Sequence, residues 1–277
     1  AELVATADND DYAAEVLPGI ADGEILVTVA LLEEGGSWEP EAAELLIDGL
    51  DDNLTVSGTK IFVPDAETAD LLLVVGRLDG DLAVVSVPRN SAGVAVEAIP
   101  AIDATRRLYK VVFDNATGGT LVARGEQASK ALHRATRLAT VAVCAELVGG
   151  MQWVLETTVE YAKTREQFGR VIGSFQAMQH HCADMLYQLE SARSAAYYAA
   201  WAVSVDDPGA DRAVSVAKAY CSDAAREVGN LGIQVHGGIG FTWEHDLHLF
   251  YRRAKSNEIL FGDAQFHRDR IATMVIG

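Results

Sequence analysis

Residues 161–185 read YAKTREQFGRVIGSFQAMQHHCADM, and their order of residue types sets the architecture of the second half of the chain. Tyr161–Thr164 close a run of helical period. Gly169 can take the left-handed conformation that ends a helix. Ser174 is a good N-cap for the next one. Beyond it Met178, Cys182, Met185 and Leu189 recur at spacings of three and four, the apolar stripe of a second helix. A helix end, a short link and a helix start describe two long antiparallel neighbours.

Upstream, the first of these helices starts near Gly125 and carries Val141, Ala145, Val148 and Leu155 at helical spacing. Downstream, DDPGADRA opens a third helix, with Asp206 or Asp207 as cap and Pro208 in the first turn. It continues through Ala217, Cys221, Ala224, Val228 and Leu231, and Gly237–Gly238 stop it. A fourth runs from about Trp243 to the end with a break near Gly262. Residues 123–277 are therefore expected to form an antiparallel four-helix bundle.

Before residue 123 the period is different. ILVTVAL, NLTVSGTKIFV, ADLLLVVGRL, DLAVVSVP, GVAVEAIPAI and YKVVFD are short, rich in Val, Ile and Leu, and separated by turn residues as in GLDDN and LDGD. Six such segments without room for crossover helices fit a small antiparallel barrel or sandwich over residues 25–122. The fold class is α+β. Residues 1–24 have a helix-then-turn character with little apolar surface, and are expected to be the tail of a larger helical region.

The chain has 277 residues, 49% apolar and 22% charged, with net charge −18. This is globular composition, long enough to bury roughly three quarters of its unfolded surface. No basic run exists, which argues against nucleic acid and anionic membrane surfaces as partners. Cys144, Cys182 and Cys221 lie far apart in helical, apolar contexts, the pattern of buried thiols in a reducing, cytoplasmic compartment. No window of eighteen apolar residues is evident, so no spanning helix is expected.

Two stretches can carry chemistry. In YAKTREQFG the cations Lys163 and Arg165 can simply complement a helix dipole. In QVHGGIGF, residues 234–241, adjacent glycines either stop a helix or expose backbone N–H donors to a pyrophosphate or nucleobase edge. His236 reads as a structural histidine. No second His or Cys stands at zinc spacing, so no metal site is expected. The charged cluster WEHDLHL, residues 243–249, reads equally as a capped surface helix start.

Taken in order, ALLEEGGS, GTKIFV, YAKTREQFGRVIGSFQAMQHHCADM and QVHGGIGFTWEHDLHL on a strand domain followed by a bundle resemble the acyl-CoA dehydrogenase family along essentially the whole chain. The resemblance implies a middle β-domain, a C-terminal bundle and an N-terminal helical domain of which residues 1–24 would be the end. It implies FAD, and α,β-dehydrogenation of an acyl-CoA thioester. There a carboxylate takes the α-proton while the thioester oxygen is held by hydrogen bonds. Arg165, Gln167 and Phe168 match residues that contact the adenosine–pyrophosphate half of FAD. Phe175 and Gln176 match a second contacting pair. Gln234, His236, Gly237 and Gly238 match the segment that reaches the cofactor across a subunit interface, and Gln265 aligns with a family glutamine.

Other family positions differ. Where the family reads T-E-P-x-x-G-S, this chain has L-E-E-G-G-S, with Leu32 in place of the flavin-bonding threonine and one residue fewer. Where it reads G-x-K-x-[WF]-I-T, Pro64 stands in place of the last threonine and offers neither hydroxyl nor N–H. Phe261 occupies the place of the catalytic glutamate. The alternative site of that glutamate, on an earlier helix, falls near Ala139. Asp263 is a carboxylate two residues from the expected place, and a displacement of about 1 Å can cost a hundredfold.

The combination points to a non-catalytic subunit, in an α2β2 heterotetramer, that completes the FAD site of a catalytic acyl-CoA dehydrogenase partner. Electron-transfer flavoprotein would be the acceptor, and a bulky acyl-CoA such as a steroid side-chain thioester the substrate. The alternatives are a complete homo-oligomeric enzyme with Asp263 as base, and a non-enzymatic scaffold.

Overall fold

The structure is a computed structural model and describes residues 1–49 and 53–277. It divides into two compact units, Ala1–Thr136 and Arg137–Gly277. The turn expected at GLDDN lies partly outside the described residues.

The first unit opens with two helices, α1 (Glu2–Ala5) and α2 (Asp10–Asp22). Asn9 caps α2 by accepting from the Tyr12 amide at 3.1 Å, and Gly23 ends it at φ 74°. Seven strands follow: β1 (Val27–Ala30), β2 (Leu46–Asp48), β3 (Leu54–Pro64), β4 (Leu71–Leu78), β5 (Asp81–Pro88), β6 (Val94–Ile99) and β7 (Leu108–Arg124). Each of β2, β3, β7, β5 and β4 pairs with the next, and β4 pairs back onto β2, so the sheet closes on itself. Closure leaves few strand edges open. All pairings are antiparallel except β1–β4 and β2–β4, which are parallel.

Two of the strands differ from their expected extent. YKVVFD continues through NATGGTLVAR as one 17-residue strand. Asn115 at φ 47° and Gly118 at φ 79° kink it without reversing the chain, as bulge residues do, so the strand serves β3 and β6 with one half and β5 with the other. β2 is an additional short strand in ELLIDGL. Inside the barrel Val56, Val74, Val85, Val111 and Phe113 are buried. A second apolar layer joins Leu3, Val4, Tyr12 and Val16 to Val75, Val84, Val122 and Leu132.

The second unit is a helical bundle. α3 (Glu126–Thr164) runs through the division between the units. After it come a two-stranded hairpin, β8 (Glu166–Gln167) and β9 (Arg170–Val171), and then α4 (Gln176–Ser204), α5 (Ala210–His236), α6 (Leu247–Ile259) and α7 (Ala264–Ile276). The core stripe of α3 includes Val143, Cys144, Leu147, Met151, Val154, Thr158 and Ala162; of the expected residues Val148 and Leu155 are buried, Val141 is half-buried and Ala145 is exposed. α4 packs with alanines at 192, 196, 199 and 202, and α5 with Ala217, Cys221, Ala224 and Val228. Small side chains let helix axes come close.

Boundaries shift by a few residues from those expected. Phe175, not Ser174, occupies the N-cap of α4, and the Ser174 hydroxyl donates to the Val171 carbonyl at 2.7 Å. Asp207 accepts from the Gly209 amide at 2.7 Å, one turn ahead of α5. Cys144 and Cys221 are buried free thiols, while Cys182 is only partly buried. Contrary to expectation, α3 is long and apolar enough to cross a membrane by length and composition, with 44% of its most apolar window buried inside the protein.

Candidate functional site

Gly169 does not end α3. The helix stops at Thr164, where the Arg165 amide makes the last helical bond to the Tyr161 carbonyl at 2.8 Å. The chain then reverses through a two-residue turn, with Gln167 opposite Arg170 and Phe168 and Gly169 at φ 56° and 76°. Positive φ at both central positions is a type I′ feature, and a phenylalanine there is strained. That phenylalanine is 91% exposed. Its ring meets Phe175 edge-on at 6.1 Å, and the Arg170 guanidinium lies 4.0 Å over the Phe175 ring. The hairpin rests on α3 through Gly173, where a Cβ would stand 2.8 Å from the Ala162 carbonyl oxygen. The Arg165 side chain is exposed and has no partner among the described residues. Gln167 and Gln176 are exposed beside it.

The glycine segment lies against the same end of α3. His236, the last residue of α5, is buried and stacks on Tyr161 at 4.4 Å. Its Nδ1 donates to the Gly232 carbonyl at 2.8 Å, and burial holds its pKa below the usual histidine value. This is a structural histidine, clamped between Tyr161 and the edge of His245. Gly237 follows at φ 62°, ψ −141°, a conformation open to glycine, and both Gly237 and Gly238 face open space. Gln234 is exposed one turn earlier. In WEHDLHL it is His245 that caps α6, accepting the Leu247 amide at Nδ1 over 3.0 Å. Trp243 stays 77% exposed with Arg252 over its ring.

The α6–α7 turn holds Phe261 and Asp263. Phe261 has φ 58° and Gly262 φ 99°. Both carbonyls of this strained pair are held by buried side chains. His267 Nε2 donates to the Phe261 carbonyl at 3.0 Å, and Lys218 Nζ to that of Gly262 at 2.7 Å. Lys218 also donates to the Glu258 carbonyl at 3.0 Å and to Ser222 at 3.1 Å. Burial lowers the Lys218 pKa to about 8 and that of His267 to about 4. Asp263 is the N-cap of α7, its Oδ1 accepting from the Phe266 amide at 2.8 Å. Gln265 points to solvent and donates to Asp269 at 2.8 Å.

In the β-barrel unit Leu32 is buried, and its carbonyl takes the Ile61 amide at 2.9 Å. Lys60 is fully buried and donates to the Leu31 carbonyl at 2.9 Å and to Glu33 at 2.6 Å, closing the LEEGG loop onto β3. Burial lowers the Lys60 pKa while Glu33 counteracts it. Neither Leu32 nor Pro64 brings a side-chain donor.

The arrangement thus joins Arg165, Phe168 and Phe175 in one hairpin, and links it through Tyr161 to His236 and the glycine turn. An exposed, unpaired guanidinium, an exposed strained ring and open backbone suit the nucleotide end of FAD. Nothing local in the sequence sets Tyr161 on His236, and Lys218 and His267, which hold the α6–α7 turn, fall outside the chemical motifs.

Comparisons with known proteins identify the family of the chain and its fold. The model of the acyl-CoA dehydrogenase C-terminal domain matches residues 127–276. Acyl-CoA dehydrogenase FadE34 of Mycobacterium tuberculosis is 44% identical over 163 residues, 58% of this chain and 22% of that protein. Acyl-CoA dehydrogenase IpdE2 of Mycolicibacterium smegmatis is 31% identical over 246 residues, 87% of this chain and 68% of that one. A crystal structure of an FAD-dependent dehydrogenase superposes with a TM-score of 0.92 at 26% identity, covering 99% of this chain and 76% of the other. This chain therefore spans less than a quarter of the first relative and about two thirds of the second. With the family model matched over more than half of its residues, and the barrel-then-bundle order shared along nearly all of it, the chain belongs to the acyl-CoA dehydrogenase family.

Proposed function

We propose that this chain is the non-catalytic subunit of an FAD-dependent acyl-CoA dehydrogenase, and that it completes the cofactor site of a catalytic partner in an α2β2 assembly. The observation that carries the reading is the pinned α6–α7 turn, which holds Phe261, the residue that the resemblance aligns with the family's base. A phenylalanine cannot take a proton, and the carboxylate of Asp263 is already engaged as a helix cap. Leu32 and Pro64 add no polar contact for a flavin ring.

What this chain would supply is the nucleotide half. Arg165 would neutralise the pyrophosphate, Phe168 would pack on a ring edge, and Gln167, Phe175 and Gln176 would line the same hairpin. Gln234, Gly237 and Gly238 would offer amide and backbone groups, with His236 holding the glycine turn in place. Gln265 is the remaining candidate contact. FAD, when bound, accepts the electrons released by α,β-desaturation. The wider context is cytoplasmic, from the pattern of unpaired cysteines, and the resemblance adds a bulky, steroid side-chain type of acyl-CoA as substrate and electron-transfer flavoprotein as acceptor.

The test is to purify the chain alone and with its catalytic partner and to measure FAD per chain and acyl-CoA oxidation. One FAD site for each pair of unlike chains, with activity only in the pair, is expected. Stoichiometric FAD and turnover in the isolated chain would overturn the reading, and loss of that turnover in Asp263→Asn would assign the base to Asp263. A complex with no flavin absorbance would leave the scaffold reading. In the active pair, Arg165→Ala should weaken FAD retention about tenfold or more, the scale of one charge-assisted hydrogen bond, without changing the melting temperature.

A further inference from the structure

Each of the three long helices of the bundle carries one cysteine, and two of these meet. Cys144 on α3 and Cys221 on α5 are free thiols, each 0% exposed. The Cys221 thiol donates to the Ala192 carbonyl of α4 at 3.6 Å. A thiol has a single proton to give, so in the hydrogen bond between the two cysteines Cys144 is the donor and the Cys221 sulfur the acceptor. The two sulfurs are therefore in direct contact between α3 and α5, although far apart in sequence. Cys182, on α4, is half-buried, and burial is what raises its thiol pKa.

The surroundings decide what such a pair can do. Lys218, one turn before Cys221, lies within electrostatic reach of both thiols. Its ammonium favours a thiolate on either sulfur, the form that attacks an oxidant. The hydrogen bond from Cys144, and then burial, act the other way and push the Cys221 thiol up. The pair is accordingly slow to react while the bundle is closed, and a reducing compartment keeps it as two thiols. Local opening of the bundle admits a small oxidant. Once either sulfur is oxidised, its partner is already against it, and condensation outruns the arrival of a second oxidant. Cys221 shares its face of α5 with Ala217 and Ala224, small side chains that let helix axes approach.

We propose that Cys144 and Cys221 are a redox-closable pair, which a peroxide converts to one disulfide tying α3 to α5. First, one thiolate attacks the O–O bond of hydrogen peroxide, becomes a sulfenic acid and releases hydroxide. Then the other sulfur attacks that sulfenic sulfur; the S–S bond forms, and the hydroxyl leaves with the second thiol's proton as water. In sum, two thiols and one hydrogen peroxide give one disulfide and two waters, and a dithiol reductant reverses the change. Closure fixes α5 beside Lys218, the donor that holds the Gly262 carbonyl. This chemistry goes beyond the cofactor assignment and does not rest on it, and its readout is a covalent bond, not flavin or turnover.

Peptide mapping of the full chain, kept folded and treated with hydrogen peroxide, tests it. Cys182→Ser removes the half-buried thiol as a source of other links. After alkylation and unfolding without reductant, a linked pair of peptides carrying Cys144 and Cys221 is expected. The melting midpoint should rise by about 5 °C or more on oxidation and fall back with dithiothreitol. Cys221→Ser should show neither the link nor the rise. Cys144 and Cys221 both recovered as alkylated thiols, either one found as a sulfinic acid without the link, or a link formed only in urea would each overturn the proposal. A link that left the midpoint unchanged would overturn its role as a tie between the helices. If Cys221→Ser fails to fold, the map and the midpoint of the protein that keeps both buried cysteines decide the matter.

Discussion

Lys218→Ala is expected to lower stability by about 3 kcal/mol, because it removes the donor from two main-chain carbonyls and a hydroxyl that are shut away from water. Lys218 is fully buried, and its Nζ reaches the Glu258 carbonyl, the Gly262 carbonyl and Ser222. It ties α5 to the end of α6 and to the strained turn at Phe261–Gly262. Left without this donor, those carbonyls are orphaned and the positive φ values lose part of what holds them. For a chain of this size the melting midpoint should fall by about 6–12 °C. Lys218→Met, which keeps the volume but not the donors, separates the hydrogen bonds from the packing. A midpoint unchanged in both variants would show that the turn holds itself.

Lys218 has a pH signature of its own. Its folded pKa is lowered by burial from 10.5 to about 8. Between those values the unfolded chain binds the proton and the folded chain does not, so this group's contribution makes stability rise with pH from about 8 to 10.5. The rise is bounded at about 3 kcal/mol by 1.36 kcal/mol per unit. Lys218→Met should remove it, which chemical denaturation at pH 8 and pH 10 of both proteins would read.

The parts legible in sequence were those with a period or a local rule. The switch from strand to helix, the order of the long helices, the break at Gly262 and the exposure of the glycine turn all follow from residue types close together in the chain. What escaped depends on contacts between distant segments. Tyr161 belongs to a recognisable motif, but nothing local says that its ring will lie on His236, 75 residues away. Lys218 sits on the same helical face as Ala217 and Cys221, and a lysine beside an apolar stripe normally reads as an edge reaching water. Its burial needs acceptors at Glu258 and Gly262, 40 and 44 residues later. The hairpin at Phe168 reads locally as a helix end, because Gly169 serves either purpose. The strained phenylalanine before it breaks the local preference, and such breaks gather at sites held by something else. In β7 the opposite happened: NATGGT obeys turn chemistry, yet the pull of pairing with both β3 and β5 keeps it extended.

His267 should make the protein sensitive to acid over a defined window. It is buried, donates from Nε2 to the Phe261 carbonyl, and has Lys218 among its neighbours. Burial and then the Lys218 charge depress its pKa from 6.5 to about 4, and Arg270 acts in the same direction. In the folded state the ring is therefore neutral over a range in which the unfolded chain protonates it. The stability that this provides is complete above about pH 6.5 and is lost as the pH falls toward 4, by at most about 3 kcal/mol for a span of about 2.5 units. Carboxylates add their own acid dependence, so the diagnostic is a difference between two proteins. His267→Gln keeps a side-chain donor for the Phe261 carbonyl but does not titrate. Urea midpoints at pH 7 and pH 5 should drop less in the variant than in the wild type. An equal drop in the two would mean that His267 titrates alike in the folded and the unfolded chain, so that its burial costs the imidazolium nothing.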